Sequence, residues 1–253
     1  MRARARAVGE GMAPTPPTER ARRALVLLDG ECAATPLLRS RVAGRTVIAA
    51  DGGIRHAGPL GVVPDAWIGD FDSAEPDLRA AWPDVPRESH PPAKDWTDGE
   101  LALRSAVSRG AWDILIAGAL GGPRLDHALG TLMLGASVAG GDRQVVMTDG
   151  RHWVRPLSGP GTLEVPADEG RRLSLVGLSA LEGLTLDGVR WTLANESVPF
   201  GASRTLSNEI EGDAARIALG TGQLLAVSGP GEGDALPIGH SAGASAPDRR
   251  HGP

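Results

Sequence analysis

The stretch Ala66-Trp67-Ile68-Gly69-Asp70-Phe71-Asp72-Ser73 sets the reading of the chain: a short apolar run ends in two aspartates one residue apart. With Trp67 and Ile68 closing a buried strand, the period of two puts Asp70 and Asp72 on the same side, where the chain leaves the sheet. Carboxylates that close repel each other unless a cation lies between them, and their paired oxygens suit a hard ion such as Mg²⁺. The same residues are also ordinary turn formers, so the pair gains weight only from its surroundings.

Before it, Ala24 to Leu28 reads as a buried strand ended by Asp29-Gly30, Pro36 to Val42 as a short amphipathic helix, and Thr46 to Ala50 as a second buried strand running into Asp51-Gly52-Gly53. Beyond it come a helix from about Pro76 to Trp82 and a weak strand at Arg87 to Ser89. Thr97 with Glu100 forms a capping box that starts a helix whose pattern runs from Leu101 to Arg109. Asp98 then falls in the first turn, where the helix dipole favours negative charge. Asp113 to Ala117 is another buried strand, followed by a turn through Gly118 to Gly122, Pro123-Arg124-Leu125, and a helix starting at Asp126-His127. Gln144 to Thr148 is the last strand of this half.

Buried apolar strands alternating with helices predict a parallel sheet with helices on both faces, and such sheets bind ligands beyond the carboxyl ends of their strands. Asp51, Asp70 and Asp72 each follow a strand, and Asp126 lies past the loop after another. Together they read as a metal and phosphate site.

Near Asp149-Gly150 the texture changes. Short β-rich runs follow at Thr162 to Val165, Leu173 to Val176, Leu184 to Leu186, Val189 to Leu193, Ala215 to Leu219 and Leu224 to Val227, with no convincing helix among them. This spacing predicts a small sandwich or barrel-like domain. The expected organisation is a basic disordered tail at 1–23, an α/β domain at 24–150, a β-rich domain at 151–228 and a disordered tail at 229–253. Met12 offers a second possible start.

Composition narrows the function. The hydrophobic fraction of 41% with 23% charged residues is that of an ordinary soluble protein, and no apolar run approaches the roughly 20 residues needed to span a bilayer. A single cysteine, Cys32, rules out an internal disulfide, and with no signal-peptide pattern the expected location is the cytoplasm. The first 23 residues hold six Arg and two Glu, so the net charge of −5 leaves −9 beyond them, which argues against a nucleic-acid-binding body. Lys94 is the only lysine in the chain; a compact ammonium there would offer a point charge that arginine does not imitate. That single lysine leaves no Gly-x-x-x-x-Gly-Lys-Ser/Thr loop, the Gly118 to Gly122 turn fails the dinucleotide spacing, and no Cys/His cluster supports zinc. Carboxylates for Mg²⁺, with Lys94 and Arg124 for phosphate oxygens, are the parts of a phosphoryl or diphosphoryl transferase.

Four stretches carry a family likeness: Ala50-Asp51-Gly52-Gly53; Gly69-Asp70-Phe71-Asp72-Ser73; Lys94-Asp95-Trp96-Thr97-Asp98-Gly99-Glu100-Leu101-Ala102-Leu103; and Gly121-Gly122-Pro123-Arg124-Leu125-Asp126-His127. In this order they resemble the motifs of thiamine pyrophosphokinase, also called thiamine diphosphokinase. The second half resembles that family's thiamine-binding domain through Gly188-Val189-Arg190-Trp191-Thr192-Leu193 and Leu206-Ser207-Asn208-Glu209, so the likeness spans about residues 24 to 228. The resemblance implies a Rossmann-like catalytic domain followed by an all-β thiamine-binding domain. It implies attack of the thiamine hydroxyl on the β-phosphorus of ATP, giving thiamine diphosphate and AMP. By the same likeness Asp70, Asp72 and Asp98 hold Mg²⁺, with Asp51, Asp95 and Asp126 completing an acidic ring. Gly52, Gly53, Thr97 and His127 join the nucleotide site, while Lys94 and Arg124 bind phosphates. Trp191 stacks on thiamine, Ser207 and Asn208 line its pocket, and a homodimer is implied. Thr131, Ile54-Arg55 and Pro123 depart from the family's usual pattern.

Three rivals use the same residues: a diphosphokinase for another hydroxymethyl heterocycle such as a pterin, a metal-dependent phosphatase with Asp70 and Asp72 as its pair, and a non-catalytic nucleotide or thiamine sensor.

Overall fold

Alternate residues of the apolar runs separate onto two faces of one sheet. Ala24, Val26, Ile48, Ile68, Ile114 and Ile116 join one core, and Leu25, Leu27, Val47, Ala49, Trp67 and Leu115 join another. A sheet buried on both faces in this way needs apolar residues at every strand position, which is why these strands read as unbroken apolar runs. The structure, a computed structural model, describes residues 19–71, 76–89 and 96–230.

In chain order the first half is α1 (Glu19–Arg22), β1 (Arg23–Leu27), α2 (Pro36–Val42), β2 (Thr46–Ala50), a 3₁₀ turn at Asp51–His56, α3 (Ala57–Leu60), β3 (Ala66–Gly69), α4 (Pro76–Ala81), β4 (Arg87–Ser89), α5 (Asp98–Ser108), β5 (Asp113–Ala117), α6 (Leu125–Val138) and β6 (Gln144–Thr148). The strands β6-β5-β1-β2-β3-β4 lie side by side and all their pairings are parallel. Leu101, Ala102, Leu103 and Ala106 of α5 seal one face, and Leu38 and Val42 of α2 with Ile54, Ala57 and Leu60 seal the other. The end of the expected basic tail belongs to the fold: α1 covers Glu19–Arg22, and Arg20 Nη2 meets both carboxylate oxygens of Asp65 at 2.9 Å.

Apart from a 3₁₀ turn at Ala167–Glu169 the second half is β, as its texture predicts: β7 (Trp153–Ser158), β8 (Gly161–Pro166), β9 (Arg172–Gly177), β10 (Leu181–Asp187), β11 (Leu193–Val198), β12 (Asn208–Glu209), β13 (Ala214–Leu219) and β14 (Gln223–Gly229). It is a sandwich, but one of its sheets continues the first half. β7 pairs antiparallel with β6, and β14, β9 and β12 follow, giving a ten-stranded sheet; β11-β10-β13-β8 form the second, four-stranded sheet. Position 150 is thus the tip of a hairpin within one sheet. Trp153 of β7, 2% exposed, packs into the first half's core, and Arg41 of α2 reaches Asp168 and Glu169 beyond the seam.

The stretch Val189 to Leu193, expected as a strand, is a turn with one bridge, Val189 to Ile210. The strand begins where that stretch ends, at Leu193, and its polar Asn195-Glu196-Ser197 hides the alternation. Register shifts against β10, with Asn195 at φ 53°, accommodate the irregularity. No helix among the described residues is long and apolar enough to cross a membrane.

Candidate active site

The strands stop where their apolar residues stop, and the polar residues that follow line one cleft of about 690 Å³ at the carboxyl end of the parallel sheet. Its walls include Asp29 after β1, Asp51 after β2, Asp70 after β3, the glycine loop after β5, and the first turns of α5 and α6. The chain passes from β4 back to β5 beside β1, so the cleft sits at the sheet's topological switch point.

Local packing aims each carboxylate. Asp51 opens the 3₁₀ turn at φ 41°, a conformation aspartate tolerates, and its carbonyl accepts a 2.9 Å hydrogen bond from Nε1 of the fully buried Trp67. Gly69 lies so close to the Asp51 carboxylate that a Cβ there would occupy the same space. Next to Asp70, Phe71 at φ 59° turns inward and sets its ring edge-on to Trp67, with centroids 5.1 Å apart. Phe71 is 8% exposed, so the buried ring and the cleft-lining Asp70 take alternate sides of the turn. Asp98 is the first residue of α5, whose N-cap Thr97 accepts the Glu100 amide at 3.2 Å. Glu100 does not mirror that bond within the expected capping box in the direction of Thr97; its carboxylate takes the guanidinium of Arg104 one turn on, at 3.0 Å.

Among the other expected residues, Thr97, Arg124, Asp126 and His127 line the same cleft. Asp126 is not a bare member of an acidic ring: both its oxygens hold Arg124, at 3.0 and 2.8 Å. That hydrogen-bonded pairing pulls the Asp126 carboxyl down to about 2 and raises the Arg124 pKa, so both are charged at neutral pH. Gly52 and Gly53 do not line the cleft. They allow close packing instead, Gly52 against the Asp29 carboxylate and Gly53 against the β1 backbone. Asp72, Lys94 and Asp95 lie outside the described residues.

Trp191, Ser207 and Asn208 come together, but elsewhere. Asn208, 7% exposed in β12, accepts the Trp191 amide at 3.1 Å and donates to the Trp191 carbonyl at 2.8 Å. Its side chain therefore positions Trp191, and the 56% exposed indole is left to meet a partner with the Arg190 guanidinium 4.9 Å from its centroid. Ser207 is exposed at φ 59° beside it.

Asp29 is a cleft carboxylate that the sequence presents only as a turn residue. It is ion-paired to Arg55, and neighbouring His56 bonds the Gly30 carbonyl at 3.0 Å through Nε2. Burial, then Arg55, lowers the His56 pKa, so the ring is neutral and carries its proton on that nitrogen. The signal available was its place directly after a strand, like Asp51. Cys32 behaves as a half-buried apolar side chain, its thiol pushed up to about 11 by burial and by Asp149.

Comparison with known proteins agrees with this arrangement. Residues 42–147 match the family described as "Thiamin pyrophosphokinase, catalytic domain", and residues 162–224 match "Thiamin pyrophosphokinase, vitamin B1 binding domain". A thiamine pyrophosphokinase of Bacillus subtilis (strain 168) is 29% identical over 171 residues, 66% of this chain and 79% of that protein. The crystal structure of thiamin pyrophosphokinase from Geobacillus thermodenitrificans aligns with TM-score 0.70 at 28% identity, covering 82% of this chain and 97% of that one. That of a thiamin pyrophosphokinase family protein from Enterococcus faecalis aligns with TM-score 0.70 at 26% identity, covering 83% and 99%. With both domain matches in order along one chain and most of the cleft's lining inside the first of them, this protein belongs to the thiamin pyrophosphokinase family.

Proposed function

We propose that this thiamine diphosphokinase uses ATP as donor and Mg²⁺ as its metal, and transfers the diphosphoryl group to the thiamine hydroxyl in the cleft at the ends of β1, β2, β3 and β5. The observation that carries the reading is the gathering of Asp51, Asp70 and Asp98 around one cleft. The donor set fits Mg²⁺, a hard ion that takes carboxylate oxygens and keeps waters and substrate phosphates in its remaining positions. Asp70 and Asp98 would hold it, with Asp72, and the ion would draw charge from the phosphates.

The chain's own residues do the rest. The hydroxyl oxygen of thiamine gives up its proton to the surrounding water and forms a bond to the β-phosphorus, as the bond from that phosphorus to the α-phosphate oxygen breaks and AMP leaves. Arg124, aimed by Asp126, takes phosphate oxygens at the mouth of α6, and Lys94, Asp95 and His127 complete the binding of the nucleotide. Thr97 holds the turn that presents Asp98. Residues 24–150 serve the nucleotide and 151–228 the vitamin.

Trp191 and Ser207 serve thiamine, and the fold gives a reason for a homodimer. Asn208, which holds Trp191, lies in β12, eight strand positions from β3, so that at the usual spacing of strands Trp191 stands roughly 38 Å along the sheet from Asp70. Thiamine is far shorter. A second copy that brings its Trp191 to this cleft closes the gap. Cytoplasmic work, where ATP is available, completes the proposal.

The test is product analysis with ATP, Mg²⁺ and thiamine. AMP and thiamine diphosphate should form together and only when thiamine is present; ADP or phosphate instead would refute the reaction. Mixing an Asp70→Asn chain with a Trp191→Ala chain should restore part of the activity each lacks, and no recovery would refute the shared site.

A further inference from the structure

Trp96 is an aromatic side chain in the cleft to which no motif assigns a task. It precedes the N-cap of α5, lines the cleft and is 45% exposed. The Arg104 guanidinium lies 4.5 Å from its ring centroid and is itself held by Glu100 at 3.0 Å. Arg104 does not line the cleft and Trp96 does, so the guanidinium backs the indole and the opposite side of the ring is turned to the cleft.

The reaction says which ring would meet it. In a diphosphoryl transfer the entering and leaving oxygens lie in line on opposite sides of the β-phosphorus. The crevice between the β1 and β5 loops, lined by Gly30, Gly118, Gly121 and Gly122, is where the switch point receives a nucleotide. The acceptor then approaches from the α5 side, where Trp96 stands two residues before Asp98. The reacting hydroxyl of thiamine sits on a two-carbon arm of its thiazolium ring, so that ring comes to rest beside these carboxylates. A cationic ring gains from an indole face.

We propose that Trp96 is a specificity-determining residue whose cleft-facing indole packs against the thiazolium ring of the acceptor. The inference rests on the diphosphokinase reading above. It adds a second aromatic contact to Trp191, on the reacting half of the vitamin.

The experiment compares the full chain with Trp96→Ala and Trp96→Phe. AMP release is followed with thiamine and with its neutral isostere, in which carbon replaces the thiazolium nitrogen. Trp96→Ala should raise the KM for thiamine roughly tenfold, change the KM for ATP by less than about twofold, and lessen the preference for thiamine over the neutral isostere; Trp96→Phe should keep most of that preference. A rise in the KM for ATP alone, or equal losses with both acceptors, would overturn the assignment. So would an unchanged KM for thiamine. Failure of the wild-type chain to release AMP with thiamine would instead bring down the reading beneath it.

Discussion

At the end of the parallel sheet where its strands begin, aspartates are locked to arginine. Asp113 holds Arg45 at 2.9 and 3.0 Å and Arg23 at 3.2 Å, and Asp65 holds Arg20 while accepting the Val47 amide at 2.8 Å. At the end where the strands finish, Asp51, Asp70 and Asp98 line an open cleft. The residue type is the same and the surroundings differ. A carboxylate gripped by a guanidinium has its charge matched and its geometry fixed, so it closes a layer of the fold. One that lines a cleft stands where an entering metal or phosphate can reach it.

The largest effect should come from the open end. Asp70→Asn should lower turnover by at least about a hundredfold, because a metal-holding charge is lost where the phosphates must be neutralised, while circular dichroism and the melting temperature stay near the wild type. Near-normal turnover would move the metal elsewhere. Asp72→Asn should behave in the same way.

The closed end should give the reverse. Asp113→Asn leaves Arg45, 8% exposed, without its carboxylate, and should cost about 3 kcal/mol of folding stability in chemical denaturation, with turnover per folded molecule unchanged. A loss of activity without a loss of stability would erase the distinction between the ends. Thr97→Ala, at the open end, removes an N-cap and should cost about 1 kcal/mol, with a modest fall in turnover as Asp98 loosens.

The smallest effect sharpens the comparison, because Asp149 follows a strand and is nevertheless structural. Burial works to raise its pKa, but hydrogen bonds from the His152 ring at 2.8 Å and from the amides of His152 and Arg151 at 2.7 Å bring it below the usual value. The same pairing raises the pKa of His152 above 6.5. The contribution of the His152 ion pair is therefore full between roughly pH 4 and 6.5, and fades as pH rises through the raised histidine value or falls through the lowered carboxylate value. The ring is half exposed, so solvent screening should keep the stability change between pH 6 and 9 below about 1 kcal/mol. An NMR titration of His152 checks this: Asp149→Asn should bring its midpoint down towards the ordinary value.

Much of this was legible beforehand where local chemistry decides. Helix α2 and strands β2, β5 and β6 have the bounds their apolar patterns indicate, because a buried parallel strand needs apolar residues, and α5 begins at the cap that Thr97 supplies by a local bond. Asp51, Asp70 and Asp98 were marked by their places at strand and helix ends. Strand β7 was hidden by Arg155 and Pro156, which lie beyond its two-residue pairing with β6, and β11 by the polar residues of an edge strand.

The sequence by itself determined the alternating elements, the acidic rim and the family, since each rests on residues near one another along the chain. Tertiary structure decided what depends on distant segments meeting. It joined the two halves through β6 and β7, set Asn208 as a clamp on the Trp191 backbone, drew Asp29 into the cleft, and brought Trp96 to the cleft's wall beside the ends of β1 and β3. A spacing in sequence fixes which way a side chain leaves its own strand or helix; its partner is fixed only when another strand, brought alongside by burial of both faces, arrives with a group of complementary charge or shape.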